Sequence, residues 1–187
     1  MAHGAMKRGF TLLETAMVSA LLAAGIAILA NFYLGYNTVF KTLEGGIATA
    51  GSAGVVGTAV KDAVLEADQV VSSHAFSGTT YTSGVNVLVL ELPSADASGN
   101  ILLGKHDYIA FYRSGTNISR LIDADASSFR TSSQKQLSTS ATSLTFTYDN
   151  ADLTLVQKVD VSIGTAVTVK NRTVQSSLHQ QAYLRNK

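Results

Sequence analysis

The chain has 187 residues, 46% of them hydrophobic and only 14% charged, with a formal net charge of +1, one proline and neither cysteine nor tryptophan. A typical soluble domain carries about 25% charged residues, and the mean hydropathy here is positive, at +0.20. A single stretch is long enough to cross a bilayer, which excludes a multi-spanning transporter. The missing cysteines exclude a disulfide-stapled miniprotein or a cysteine-ligated zinc domain, and the near-neutral charge gives no sign of a nucleic-acid binder.

In chain order, the first predicted element is an uncharged run. Thr15 through Phe40 carry no ionisable acid or base of the Asp, Glu, Lys or Arg type, and Ala16–Ala30 reads AMVSALLAAGIAILA. At about 1.5 Å per residue this run is long enough to cross roughly 30 Å of hydrocarbon. Lys7 and Arg8 stand ahead of it, a short basic cap of the kind that stays cytoplasmic. Three layouts share this pattern. A cleaved secretory signal has the same order but ends in a small-x-small site, and no strict Ala-x-Ala occurs between Ala16 and Ile47. A plain membrane anchor explains the length. Neither explains Glu14, at the head of the apolar run. A carboxylate at a transmembrane helix centre costs about 2.5–3.5 kcal/mol on insertion scales.

The third layout accounts for the carboxylate. Lys7-Arg8-Gly9-Phe10-Thr11-Leu12-Leu13-Glu14 resembles the class III signal of type IV prepilins and pseudopilins. The resemblance implies a leader of residues 1–9, cleavage after Gly9 by a prepilin peptidase, and methylation of the freed Phe10 amine. Glu14 becomes the fifth mature residue, and the apolar run is retained. Glycine before the scissile bond leaves room for a protease at the backbone. The Phe10 amine and Glu14 of a neighbouring subunit would pair inside an apolar filament core, each offsetting the other's buried charge and favouring one axial register. Of the 14 basic side chains, Lys7 and Arg8 fall in the leader, leaving 12 against 13 acidic ones, a net −1. Met6 is an alternative start to Met1.

Beyond Phe40 the helical pattern weakens and then sharpens. Gly45, Gly46, Gly51, Gly54 and Gly57 fall close together, each costing up to about 1 kcal/mol relative to alanine in a helix interior. Val56, Val60, Ala63, Val64 and Ala67 then follow i, i+4, i+7, i+8, i+11, one face of an amphipathic helix. We expect one helix from about Thr11 to Asp68, about 87 Å long if fully helical. Residues 10–40 form its membrane or filament-core half, and residues 41–68 an amphipathic half docked on a sheet domain. The glycines either make the middle stretchable or let helices approach closely.

From Ser72 the period becomes alternating. Val85–Leu92, Asp107–Arg113 and Ile118–Asp123 read as strands, the last two joined by a Ser114–Asn117 turn. Thr142–Tyr148 places Leu144, Phe146 and Tyr148 on one face. Asp149–Asp152 reads as a turn, Leu153–Val169 as one long or two short strands around Gly164. Val174, Leu178, Ala182 and Leu184 recur at even positions. Pro93 falls just past a strand, and residues 94–99 and 124–139 read as long polar loops. The expectation is α+β: a long N-terminal helix packed on an antiparallel sheet of five to seven strands, residues 69–187. This half is also similar to the family, more loosely. Tyr108–Asp123 resembles a hairpin of minor pilins and larger pseudopilins; Ser143–Asn150 with Val156–Ile163 resembles the strands after it, and Tyr183-Leu184-Arg185-Asn186 the common ending. The disulfide loop of many major pilins is absent, which shifts the comparison toward a minor component.

Other motifs read as structure. Gly99–His106 is one residue from a phosphate-binding loop, but His106 replaces the magnesium-binding Ser or Thr and a strand follows. His3, His74, His106 and His179 show no ligand spacing. Asp123 with Asp125, or Asp149 with Asp152, would suit calcium, which the resemblance implies for some pseudopilins; turn formation is the reading adopted, and no cofactor is expected. Serine is abundant, but no G-x-S-x-G and no histidine-carboxylate constellation supports catalysis. Lys170, Arg172, Arg185 and Lys187 make a basic end, read as charge protecting an edge strand rather than as a DNA contact. The expected function is a non-enzymatic filament subunit: a minor pilin first, then a type II secretion pseudopilin, then a competence pseudopilin. The resemblance implies as partners other pilin or pseudopilin subunits, a prepilin peptidase, the inner-membrane assembly platform and the cytoplasmic membrane. The precursor would be single-pass in that membrane, and the head periplasmic or extracellular. A membrane-anchored exported enzyme or binding protein is the alternative of a different class.

Overall fold

The computed structural model describes residues 11–185, and the chain divides after Leu43 into two compact units. One helix, α1 (Leu12–Glu66), begins in the first unit and ends in the second. No proline interrupts it, and alanine and leucine dominate its first half. At its end the Asp68 N–H donates to the Glu91 carbonyl at 2.9 Å, so the chain passes straight from helix into sheet.

Ten strands follow among the described residues: β1 (Gln69–Val70), β2 (Ser73–Phe76), β3 (Thr79–Thr82), β4 (Val87–Ala95), β5 (Ile101–Ser114), β6 (Asn117–Asp123), β7 (Ser133–Ser138), β8 (Ala141–Tyr148), β9 (Lys158–Val169) and β10 (Arg172–Tyr183). They make a five-stranded sheet of order β1-β4-β5-β6-β7, a three-stranded sheet of order β10-β9-β8, and the β2–β3 hairpin, with every pairing antiparallel. The turns carry the residues they need. Gly115, at φ 59, opens the two-residue β5–β6 turn, and Ser77 and Gly78, both at positive φ, close the β2–β3 hairpin.

The predicted helix face is the docking face. Val56, Val60, Val64 and Ala67 are fully buried against Leu88, Leu90 and Leu92 of β4, Phe111 of β5 and the inner faces of β8 and β9. Upstream the buried face continues through Gly45, Thr49, Ala53 and Gly57. A Cβ on Gly45 would lie 3.1 Å from methyls of Val167 and Val169, and one on Gly57 only 2.6 Å from Gln180 Oε1 and Leu178 Cδ2. Helix backbone and sheet therefore touch at these two glycines. Gly51 and Gly54 instead face open space, so the five-glycine segment divides into contact positions and free ones. It is helical throughout.

Several sequence expectations need correction. The segment 69–82 holds three short strands that no alternation announced. The expected loop 124–139 contains β7, a polar strand that pairs with β6 through backbone hydrogen bonds and buries only its last residue, Ser138. Leu153–Leu155 is a 3-10 turn capped by Asp152, and β9 runs unbroken through Gly164. Pro93 lies inside β4, not past it. Carbonyls of Val89 and Glu91, four and two residues earlier, accept from Val71 and Asp68 on the β1 side. Proline 93 shares that orientation, at a point where β1 has ended and no ladder N–H is required.

Candidate functional site

The first candidate is the apolar head of α1. Every described residue from Thr11 to Tyr36 is exposed, and fifteen large apolar side chains between Leu12 and Phe40 are more than half exposed. Burying one such side chain fully is worth about 1.5–3 kcal/mol, so covering fifteen amounts to roughly 20–45 kcal/mol. That exceeds the net stability of a whole domain, about 5–15 kcal/mol, and an isolated helix of this kind in water is not a working state. By length and composition it is a candidate membrane span, with a window of mean hydropathy 2.1. Its hydroxyls suit an apolar setting, because Thr15, Ser19 and Thr38 donate to the carbonyls of Thr11, Thr15 and Leu34 at 2.8–2.9 Å. Tyr33 and Tyr36 fall toward its far end, where amphipathic rings suit a membrane interface.

Glu14 sits in the first turn of this helix. Its Oε2 accepts from the Thr11 N–H at 2.9 Å and from the Thr11 hydroxyl at 3.0 Å, while the Glu14 N–H donates to Thr11 Oγ1 at 3.3 Å. This is a reciprocal capping box, which satisfies two donors that a helix start leaves open. Thr11 is thus a site residue that the sequence reading passed over, although Thr-Leu-Leu-Glu carries the Thr-x-x-Glu capping signature. Gly9 and Phe10, the processing and methylation residues, lie outside the described residues, as do Lys7, Arg8 and the whole predicted leader.

A second polar centre ties the helix end to the sheet. Asp107 on β5 is fully buried, yet its carboxylate accepts four hydrogen bonds. Ser94 Oγ (2.7 Å) and the Asp125 N–H (2.9 Å) donate to Oδ1; Ser128 Oγ (2.7 Å) and Arg130 Nη1 (2.8 Å) donate to Oδ2. Burial alone would raise its pKa, but the Ser128 and Ser94 hydroxyls, the Arg130 guanidinium and the Asp125 N–H outweigh it and hold the group below the usual carboxylate range. Arg130 also donates to the Pro93 carbonyl and pairs with Glu66 at the last turn of α1 at 3.0 Å. Asp107 and Arg130 form the hub that seats the 124–132 segment.

The remaining candidate residues are held apart. Asp123 faces His74 Nε2 at 2.8 Å, whereas Asp125 pairs with Lys105 at 3.0 Å and accepts from the Ser127 N–H. Asp149 accepts from the Gln157 N–H, and Asp152 caps Thr154. Asp125, Asp149 and Asp152 thus fix local backbone while Asp123 ties β6 to β2, and among the described residues no group of three or more His, Asp or Glu is placed to hold a metal ion. Lys105 and His106 of the loop-like motif lie within β5, and His106 faces Glu91 at 3.4 Å. His179 meets Ser162 on the exposed face of β9–β10. Lys170 forms the β9–β10 turn, Arg172 and Arg185 are exposed, and His3 and Lys187 lie outside the described residues. No protein-family model matches the chain, and neither the curated proteins nor the solved structures contain one with significant similarity to it.

Proposed function

We propose that the chain is a structural subunit of a type IV pilus-like filament, a minor pilin or pseudopilin, processed after Gly9 and assembled through its apolar N-terminal helix. The observation that carries the reading is a helix head whose large apolar side chains are all uncovered and whose one charged side chain before Lys41 is Glu14. A lateral bundle of such helices covers the apolar surface, and a membrane does so before assembly. The carboxylate at the bundle head is then matched by a cation, the freed Phe10 amine of a neighbouring subunit. The sheet domain, docked on residues 45–64 of its own helix, becomes the part presented to the periplasm or the exterior. In this role the subunit has no catalytic duty.

Mass spectrometry of the mature N-terminus tests the proposal. The expected species begins with methylated Phe10; an intact leader in cells with active prepilin peptidase would show that the chain is not a substrate of that pathway. Glu14→Ala separates processing from assembly. Cleavage should continue, but incorporation into sheared filaments should fall at least about tenfold, corresponding to 1.4 kcal/mol or more of lost pairing. Wild-type incorporation would remove the charge-pair argument.

A further inference from the structure

We infer that the cavity between the β2–β3 hairpin and the β6–β7 edge is a binding site for a neutral pyranose sugar. The central strands of the five-stranded sheet, β4 to β6, are buried on both faces. Leu88, Leu90 and Phe111 point toward α1, while Val89, Ala110 and Leu121 point the other way, where Phe76 of β2 covers them. On that second face, past the end of the hairpin cover, lies a cavity of about 280 Å³. It sits just under the range of about 300–1,000 Å³ usual for drug-sized ligands, a size that suits a single sugar ring.

Its lining has two characters. The hairpin contributes the rings of Phe76 and Tyr81, set edge-to-face at 5.8 Å, and β6 contributes Leu121. The sheet surface beside them is polar. Gln134 stands directly across from Leu121, and Asp123 follows Leu121 on the same face, about 7 Å along the strand. Serine and threonine hydroxyls from Ser77, Thr79, Ser132 and Ser133 complete the rim. Gln134 Nε2 donates to the Tyr112 hydroxyl, which orients the amide and leaves its carbonyl free to accept.

The lining chemistry selects the ligand. Among the described residues it contains no lysine or arginine, so nothing there recognises a phosphate, sulfate or carboxylate. Its one carboxylate, Asp123, already faces His74 Nε2 at 2.8 Å. A single engaged carboxylate does not make a site for a hard cation, which takes six or more oxygens. Hydroxyls and an amide across half the wall disfavour a lipid chain, which would leave them without partners. What remains is a neutral, polyhydroxylated molecule with one apolar face. A pyranose has both: axial C–H groups to lay against the aromatic side, and equatorial hydroxyls to exchange hydrogen bonds with Gln134, Asp123 and the rim. A few convergent polar groups on an apolar base are the usual makeup of a small-molecule site.

The test is saturation-transfer NMR on the full chain, held in a zwitterionic detergent that carries no sugar. The probes are the methyl glycosides of glucose, galactose, mannose, N-acetylglucosamine and N-acetylgalactosamine. At least one should receive saturation, strongest on the C–H protons of one ring face. Thr79→Trp fills the cavity from an exposed rim position, and Gln134→Leu removes the amide at another exposed position. Each should reduce the transfer to background with an unchanged circular dichroism spectrum. The inference is overturned if no glycoside receives saturation, or if the transfer survives either substitution.

Discussion

Asp107→Asn tests whether a buried charge pair, rather than apolar packing alone, fixes the 124–132 segment to the sheet. Asparagine keeps the shape but offers one acceptor oxygen and an amide that only donates. The four groups around Asp107 are all donors, so in either orientation the new amide meets two of them. Arg130, whose side chain is only 16% exposed, loses its buried counter-charge and keeps the Pro93 carbonyl and a Glu66 carboxylate that is 58% exposed. Breaking a buried pair from one side costs about 3–5 kcal/mol; the two retained acceptors place this case near 3 kcal/mol. The assay is urea unfolding of the full chain in detergent, followed through the near-ultraviolet signal of the tyrosines. With m about 2 kcal/mol/M, the midpoint should fall by roughly 1.5 M. Replacing both charges with apolar residues, Asp107→Leu with Arg130→Met, should recover much of the loss, because neither charge is then left alone. Acid supplies a second readout. The carboxyl is held below its ordinary value in the folded chain, so its contribution is complete above the unfolded pKa near 3.9 and is lost as pH falls through the lower folded value. Asp107→Asn should flatten that slope. A midpoint shift below about 0.3 M, or a double variant as damaged as the sum of its singles, would refute the reasoning.

Three further outcomes follow from the same geometry. Gly57→Leu should cost about 1–3 kcal/mol through overpacking against Leu178 and Gln180, whereas Gly51→Ala, facing open space, should gain up to about 1 kcal/mol; thermal melts of the two variants should move in opposite directions. Burial pushes the Tyr148 phenol up to about 12, and its hydroxyl donates to the Gly84 and Val87 carbonyls. Its contribution is therefore complete below the unfolded pKa near 10 and is lost as pH rises through 12, and Tyr148→Phe should remove both the last phase of an ultraviolet tyrosine titration and the alkaline fall in stability. Thr11→Val deletes one half of the capping box, worth about 1 kcal/mol to the helix start, but leaves the Glu14 carboxylate; filament incorporation measured by shearing should stay close to wild type, and a loss equal to that of Glu14→Ala would assign Glu14 to capping alone.

What the sequence disclosed follows from where side chains meet apolar surroundings. The Val56–Val64 face was readable because each member is buried on one side of a helix, with Ala67 buried just past its end, and the period of burial is the period of the pattern. Thr142–Tyr148 and the even positions of β10 were readable for the same reason, with a period of two. β7 was not, since Ser133–Gln136 are exposed on both faces and the strand exists through its ladder with β6, which leaves no imprint on side-chain order. Pro93 misled because sequence marks the missing N–H but not which edge the N–H would have faced. The hub around Asp107 was invisible for another reason: its members come from positions 94, 107, 125, 128 and 130, and only the pairing of β4, β5 and β6 together with the β6–β7 connection brings them together. At the N-terminus the reverse held, because the capping box is local and its signature was already written in Thr11 and Glu14.

The capping box bears directly on how a carboxylate is tolerated at the head of an apolar helix. Before any partner arrives, Glu14 has two donors of its own chain, and a hydrogen bond to a charged group contributes about 1.5–3 kcal/mol. Two such bonds match the order of the insertion cost of a carboxylate, about 2.5–3.5 kcal/mol, so a lone subunit can hold Glu14 without a cation. On the filament reading, assembly then does not rescue an otherwise unsatisfied charge. It adds a cation to a carboxylate whose lone pairs are only partly used, because each carboxylate has about four acceptor positions and Thr11 takes two on one oxygen. Oε1, which accepts no hydrogen bond from the described residues, is the atom through which a neighbouring amine would be recognised. The driving force for assembly on this reading is the covering of apolar surface, roughly ten times larger than the pair, and the pair's share is to choose among registers that bury similar area.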